Sequence, residues 1–287
     1  MTEPVIVGVD GSGRSLRALA WATHEAALRG AALRVVHVLP TWEHDIPFHP
    51  PGTWLNVRDR AADIVAEAAT IAKESQPGVD VSPELIVGHP AAVFVEQSER
   101  TSAVVLGARG EGGVSNTLMG SVSLQVAGHA AAPVVVVGYV SGGNDRVLVG
   151  TDGSPVSAAA LAYAFEEASL RRAQLHVLRA WGLPTPADDR TVPDPEQIAE
   201  EYRHEVERDL GELQARYPDV DVQVELVRSR PSVALIRASG RADLAVVGSR
   251  GKGGFHGLAI GSVSHALLQD AACPVAVVRP TRSAGAV

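Results

Sequence analysis

The chain has 287 residues, which at about 150 residues per domain leaves room for two buried cores. It is 46% hydrophobic but only 4% aromatic, so disorder is excluded and the apolar mass is Val, Ala and Leu, the residues of buried parallel strands packed on Ala-rich helices. A net charge of -8 excludes a broad basic surface for a nucleic-acid backbone, and a single cysteine, Cys273, excludes an internal disulfide or a Cys-rich zinc site.

In chain order the first half reads as a strand over 5–9, a helix over 15–29 and a strand over 33–39. A Pro-rich loop, a helix over 57–74, a strand over 81–87 and a short helix over 91–98 follow. A strand over 103–106, a glycine loop, a helix opening at Ser121 and a strand over 134–137 complete it. The second half repeats the order, with strands over 147–150, 175–180, 222–227, 244–247 and 275–278. Strict alternation of apolar strands and amphipathic helices predicts, in each half, a five-stranded parallel sheet covered on both faces. No stretch reaches the roughly 20 apolar residues of a membrane helix, and the N-terminal residues have neither a basic start nor an apolar core, so a cytoplasmic protein is expected.

The two halves are copies. VIVGVDGS at 5–12 and VLVGTDGS at 147–154 share six of eight positions at an offset of 142. The segments 107–123 and 248–264 share nine of seventeen at an offset of 141. The near-constant offset predicts two whole domains, 1–140 and 146–287, joined by a linker at about 138–146 whose Gly, Ser, Asn and Asp residues suit a turn.

The most informative spacing is Gly107-x-x-Gly110, nine residues, then Gly120-Ser121, repeated as Gly248-x-x-Gly251, nine residues, Gly261-Ser262. Glycines after a strand let backbone N–H groups approach a ligand with no Cβ in the way. Gly-Ser before a helix presents a helix N-terminus, whose unpaired N–H groups favour an anion. Together they describe a phosphate cradle, the alternative being that Ser121 and Ser262 only cap their helices. The second element is Gly8-Val-Asp10-Gly-Ser12 with its copy Gly150-Thr-Asp152-Gly-Ser154. An Asp at the carboxyl end of a central strand points into the crevice where open α/β sheets bind ligands, and a carboxylate there can accept from ribose hydroxyls. It can equally initiate the turn while Ser12 or Ser15 caps the next helix, with Pro155 favouring that in the second half.

With these residues in view, the chain resembles the universal stress protein family, in particular its ATP-binding members with two domains in tandem. The resemblance covers nearly all of both halves and implies strand order 3-2-1-4-5 in each, a Rossmann-like fold repeated about a pseudo-twofold axis. It implies that Asp10 and the backbone of Val38 hold adenosine, and that Gly107, Gly110, Gly120, Ser121 and Val122 line the ribose and phosphates. In the second half the matching residues are Asp152, Ala180, Gly248, Gly251, Gly261, Ser262 and Val263. Gly8, Arg109, Gly112, Gly113 and Ser123 complete the first candidate site, and Gly150, Arg250, Lys252, Gly253, Gly254 and Ser264 the second. The implied ligand is ATP or another adenine nucleotide, with Mg²⁺ as an optional companion, and the implied assembly a homodimer through the terminal strands. Many relatives carry an Arg where this chain has Thr117 and Leu258. Glu111 in the first loop stands opposite Lys252 in the second, so the second site is expected to hold a triphosphate more tightly.

Other motifs carry less. Gly248-Ser-Arg-Gly251-Lys252-Gly253 lacks Walker A spacing, and no Gly-x-Ser-x-Gly elbow occurs. Ser141-Gly-Gly-Asn-Asp145 is similar to a pyrophosphatase loop, but Arg146 replaces the final Ser and a strand follows, so it reads as linker. His44 and His49 form the only dense histidine pair and read as a solvated loop; His37 stands in the second strand where the other half has Arg179, which speaks against a shared catalytic role. The tryptophans read as packing and the acidic helix near 200–212 as a solvated face. The function expected is a nucleotide-binding regulator with one site per domain and no catalytic residues or metal ligands. The alternatives are a slow ATPase or autophosphorylating enzyme, and a scaffold with a structural nucleotide.

Overall fold

The computed structural model describes residues 2–41, 53–108, 119–140, 142–182, 194–251 and 259–280. The chain divides into two compact units, Met1–Val140 and Ser141–Val287.

In the first unit, β1 (Val5–Gly8), α1 (Gly13–Arg29), β2 (Leu33–Leu39), α2 (Thr53–Ser75) and β3 (Val81–Val87) lead to α3 (Pro90–Gln97). Then come β4 (Ala103–Gly107), α4 (Ser121–His129) and β5 (Val134–Val137). Every pairing is parallel, in the order β3-β2-β1-β4-β5. The second unit repeats this with β6 (Arg146–Gly150), α5 (Pro155–Arg171), β7 (Gln174–Trp181), α6 (Pro195–Arg216) and β8 (Val222–Arg228). It closes with α7 (Pro231–Ser239), β9 (Leu244–Gly248), α8 (Ser262–Asp270) and β10 (Val275–Val278), ordered β8-β7-β6-β9-β10 and again all parallel. Strands expected at 33–39, 81–87, 134–137 and 275–278 have those bounds, and most others gain or lose a residue at their ends.

The central strands β1, β4 and β9 are buried along their whole length apart from the last glycine, and β6 apart from its two ends, because helices cover both faces. The outer strand β3 shows the contrast: after buried Val81 it is partly or fully exposed. Helix α1 lays Ala18, Leu19, Ala22 and Ala26 on the sheet at helical spacing. It stops at Gly30, whose φ of 58° is the left-handed conformation that glycine adopts without steric cost. Helix α5 stops the same way at Arg172, φ 53°, a residue with a Cβ.

Buried charge was not legible in the hydrophobic pattern. Glu25 is 0% exposed and paired with Arg29 one turn later, and Glu167 is 0% exposed and paired with Arg171 at the matching place. Two serines are similarly hidden and similarly repeated. Ser98 Oγ donates to Val95 O and accepts from Ala131 N–H at 2.8 Å, and Ser239 Oγ donates to Ile236 O at 2.7 Å and accepts from Ala272 N–H at 3.0 Å. Each fastens one helix end to the approach of the last strand.

Candidate nucleotide site

β1 and β4 run parallel side by side, so their carboxyl ends open at one edge of the sheet, with the chain leaving them toward opposite sides. That is the switch point at which open α/β sheets form a crevice. The turn after β1 carries Asp10 and the segment after β4 returns to start α4; β6 and β9 build the same arrangement around Asp152 and α8.

The turn after the first strand is held by its own side chains. Asp10 Oδ1 accepts from Ser12 N–H and Asp152 Oδ1 from Ser154 N–H, both at 3.0 Å, which fixes one carboxylate oxygen of each. Ser12 and Ser154 are the N-caps, each accepting from the N–H three residues on at 3.2 Å. In the second unit Ser157 completes a capping box by accepting from Ser154 N–H at 3.0 Å. The Asp therefore initiates the turn and the Ser caps the helix, as the alternative reading of this segment expected.

The start of the other helix is different. Gly120 and Gly261 are the N-caps of α4 and α8, in extended conformation and with no side chain capping the first turn. Ser121 and Ser262 stand one residue further on, at the first helical position, so the alternative that they are caps does not hold. The first N–H groups of a helix have no partner within it, and here the cap residue, a glycine, has no side chain to supply one. Each cap is pinned to its strand, Gly120 N–H donating to Ala108 O and Gly261 N–H to Ser249 O, both at 2.7 Å. Ser123 Oγ donates to Gly107 O at 2.7 Å and Ser264 Oγ to Gly248 O at 2.6 Å, so these hydroxyl protons hold the helix to the strand end.

In the second unit these parts enclose a cavity of about 290 Å³, close to the lower end of the size range of small-molecule sites. Gly150, Asp152, Ala180, Gly248 and Arg250 line it, together with Gly251, Gly261, Ser262, Val263 and Ser264. Six further residues share the lining and were not singled out in the sequence: Thr151, Ser157, Leu178, Pro231, Leu235 and Val247. Pro231 and Leu235 come from α7, which follows a strand with no glycine signature, so only their place at the carboxyl edge of the sheet could have pointed to them. In the first unit Gly8, Asp10, Val38, Gly107, Gly120, Ser121, Val122 and Ser123 occupy the matching places. Arg109, Gly110, Gly112, Gly113, Lys252, Gly253 and Gly254 lie outside the described residues, as do Glu111, Thr117 and Leu258.

The glycines divide by what surrounds them. A Cβ on Gly251 would come within 2.5 Å of Asp152 Oδ2, so this glycine leaves room for the carboxylate that faces the cavity. A Cβ on Gly248 would meet Val156 Cγ1 at 2.8 Å, and one on Gly107 the backbone of Arg14 at 3.2 Å. Gly107 and Gly248 thus admit the start of α1 and of α5 against the end of the neighbouring strand, a packing role that the ligand-approach argument did not foresee.

Among the described residues no group of three or more His, Cys, Asp or Glu side chains is placed to hold a metal ion, and no helix is long and apolar enough to cross a membrane. His37 Nδ1 lies 2.7 Å from Val9 O, while Arg179, its counterpart, is 95% buried between Glu205 at 2.6 Å and the ring of Tyr202. Neither is presented to the cavity.

The sequence matches the universal stress protein family over residues 1–138 and again over 143–279. The chain belongs to that family. It carries two copies of the family's α/β domain. A universal stress protein of Mycobacterium tuberculosis H37Rv is 40% identical over 293 residues, covering 96% of each chain. A crystal structure of a universal stress protein from Archaeoglobus fulgidus DSM 4304 aligns over 98% of this chain and 97% of its own, with TM-score 0.74 at 20% identity, and shares the fold. Another Archaeoglobus fulgidus universal stress protein, solved in complex with dAMP, covers 47% of this chain and 96% of its own at 27% identity, with TM-score 0.38.

Proposed function

We propose that this universal stress protein is an ATP-binding regulator that offers a phosphate cradle in each unit and acts in the cytoplasm by changing its nucleotide state rather than by turning over a substrate. One observation carries this reading: a helix start with no side-chain cap among the described residues borders a ligand-sized cavity whose lining includes a carboxylate, Asp152. The N–H groups at Ser262, Val263 and Ser264 and the positive end of the helix dipole suit phosphate oxygens. Asp152, with Oδ1 held by Ser154 N–H, suits a ribose hydroxyl as donor to the carboxylate. Leu178, Ala180, Leu235 and Val247 supply an apolar wall for a base. In the first unit Gly107, Gly120, Ser121 and Val122 stand at the places of the phosphate half, and Gly8, Asp10 and Val38 at those of the nucleoside half. Phosphoryl transfer needs a positioned base and a metal ligand set, and the site as described supplies a single carboxylate, so binding is the function it supports.

Mass spectrometry of the denatured, purified protein should release an adenine nucleotide, and calorimetric titration should give saturable ATP binding. No adenine nucleotide binding at millimolar ATP would overturn the reading, and efficient ADP production would replace it with an enzyme. We further propose that the chain associates into a homodimer, for which light scattering should give twice the chain mass.

A further inference from the structure

We infer that the two cradles differ in their nucleoside halves: the cavity of the second unit admits the adenosine of an adenine nucleotide, whereas in the first unit Phe94, Leu106 and Val38 take up that space. This rests on the nucleotide-binding reading above and concerns which unit holds the nucleoside.

The positions compared are equivalent by register as well as by sequence. Gly8 pairs with Val36 on the neighbouring strand and Gly150 pairs with Leu178. Phe94 lies four residues after Pro90 at the start of α3, and Leu235 four residues after Pro231 at the start of α7. In the second unit Ala180, Leu235 and Val247 line the cavity. The first unit has Val38, Phe94 and Leu106 at these places, each with more side-chain bulk, and all three are buried. One exchange runs the other way, Val36 for Leu178, and its single methylene is far from offsetting a phenyl ring.

The distances show where the bulk goes. A Cβ built on Gly8 would lie 2.6 Å from Leu106 Cδ2 and 2.7 Å from Phe94 Cζ, so two side chains converge on the strand end that matches Gly150, a lining residue of the second unit's cavity. At Gly150 the corresponding distances are 2.8 Å to Leu235 Cδ1 and 3.5 Å to Val247 Cγ1, so only one side chain presses on the backbone. The polar edge differs as well. Thr151, whose Oγ1 lies 3.2 Å from Ser157 Oγ, brings a hydroxyl to the lining, where the first unit has the buried methyls of Val9. A pocket filled by side chains rejects a ligand that must overlap them, and each extra methylene is worth about tenfold in discrimination. The first unit should therefore bind the nucleotide at least tenfold more weakly.

The test is calorimetric titration of the full chain with ATP and, separately, with adenosine. The wild type should show one tight site, which Asp152→Ala abolishes and Asp10→Ala leaves in place. Combining Val38→Ala, Phe94→Leu and Leu106→Val should raise the stoichiometry of tight sites from one to two. Because that variant can lose folding, the reverse pair, Ala180→Val with Leu235→Phe, provides an independent test and should weaken the wild-type site at least tenfold. Two equal sites in the wild type would overturn this inference alone and leave nucleotide binding standing. Loss of the tight site in Asp10→Ala but not in Asp152→Ala would also overturn it, since Phe94 would then be stacking on the base. Absence of any binding would overturn the nucleotide-binding reading and this inference with it.

Discussion

Two helices start at the same edge of each sheet, and they start in opposite ways. After β1 and β6 the chain spends its own side chains on the helix, with Ser12 and Ser154 accepting from the first turn. After β4 and β9 the cap is glycine, which has no side chain to accept from the first turn. The first kind of start is closed and contributes to stability. In the second kind, the bonds from Ser123 and Ser264 to the strand carbonyls hold the helix start against the strand end. On the reading proposed above, an anion site differs from an ordinary helix start in lacking a side-chain cap.

Making the open start resemble the closed one should have the largest effect. Gly261→Asp would place a capping carboxylate, and a negative charge, where a phosphate is expected to sit; φ of -76° and ψ of 157° suit any residue, and the new Cβ, 3.3 Å from Arg250 Cα and 3.4 Å from Ser249 O, requires that backbone to give by a few tenths of an ångström. ATP affinity of the second unit should fall by tenfold or more, read by calorimetry, with the circular dichroism spectrum unchanged. An Asp variant that binds as tightly as wild type would mean the helix start does not hold phosphate.

A second comparison is between β2 and β7. Glu205→Gln removes the countercharge of Arg179, which is only 5% exposed. Glu205 itself is 37% exposed, so solvent offsets part of the cost, and a loss of about 1–2 kcal/mol is expected in urea unfolding. Substituting His37, whose ring has no charged partner among the described residues, should cost less.

Opening the closed start should be smaller again. Ser154→Ala removes a capping box and should cost about 1 kcal/mol, against a few tenths less for Ser12→Ala. ATP affinity should stay within about twofold in both. A large loss of binding in Ser154→Ala would show that the two helix starts are not independent.

A gain of about 0.5–1 kcal/mol is expected from Arg172→Gly, which gives α5 the left-handed glycine stop that Gly30 gives α1. Thermal unfolding of Arg172→Gly, and of Gly30→Arg with the opposite sign, checks it.

The smallest effect is one of pH and belongs to the second unit. Burial holds His176 below its ordinary value, opposed by Glu225, whose Oε2 lies 2.8 Å from Nε2, while Arg146 adds to the lowering. The folded state then binds fewer protons than the unfolded state between the lowered value and about 6.5. Stability should accordingly rise with pH through that window and be lost as pH falls through it. His176→Gln should flatten that part of the profile in chemical unfolding measured at a series of pH values. Cys273, pushed up to about 12 mainly by burial, stays a thiol throughout and contributes no slope.

Much of this molecule is written locally. The duplication, the order of elements, the strand bounds at 33–39 and 81–87, and the two glycine signatures follow from periodicity and spacing within a few residues of each other. Asp10 and Asp152 could be placed in the crevice because a turn after a central strand has nowhere else to go. What each group does once there was decided by neighbours distant in the chain. Gly107 and Gly248 prove to be packing glycines because helices that begin at Gly13 and Pro155 lie against them, and Ser123 and Ser264 are turned to strand carbonyls sixteen residues back. Leu235, Val247 and Phe94 carry no motif at all, since an apolar residue at helical or strand spacing reads the same whether it floors a cavity or fills one. Alternation and spacing are properties of one segment and survive in the sequence; the distance from Phe94 to Gly8 is set by the packing of α3 across β1 and β4, and only the assembled sheet contains it.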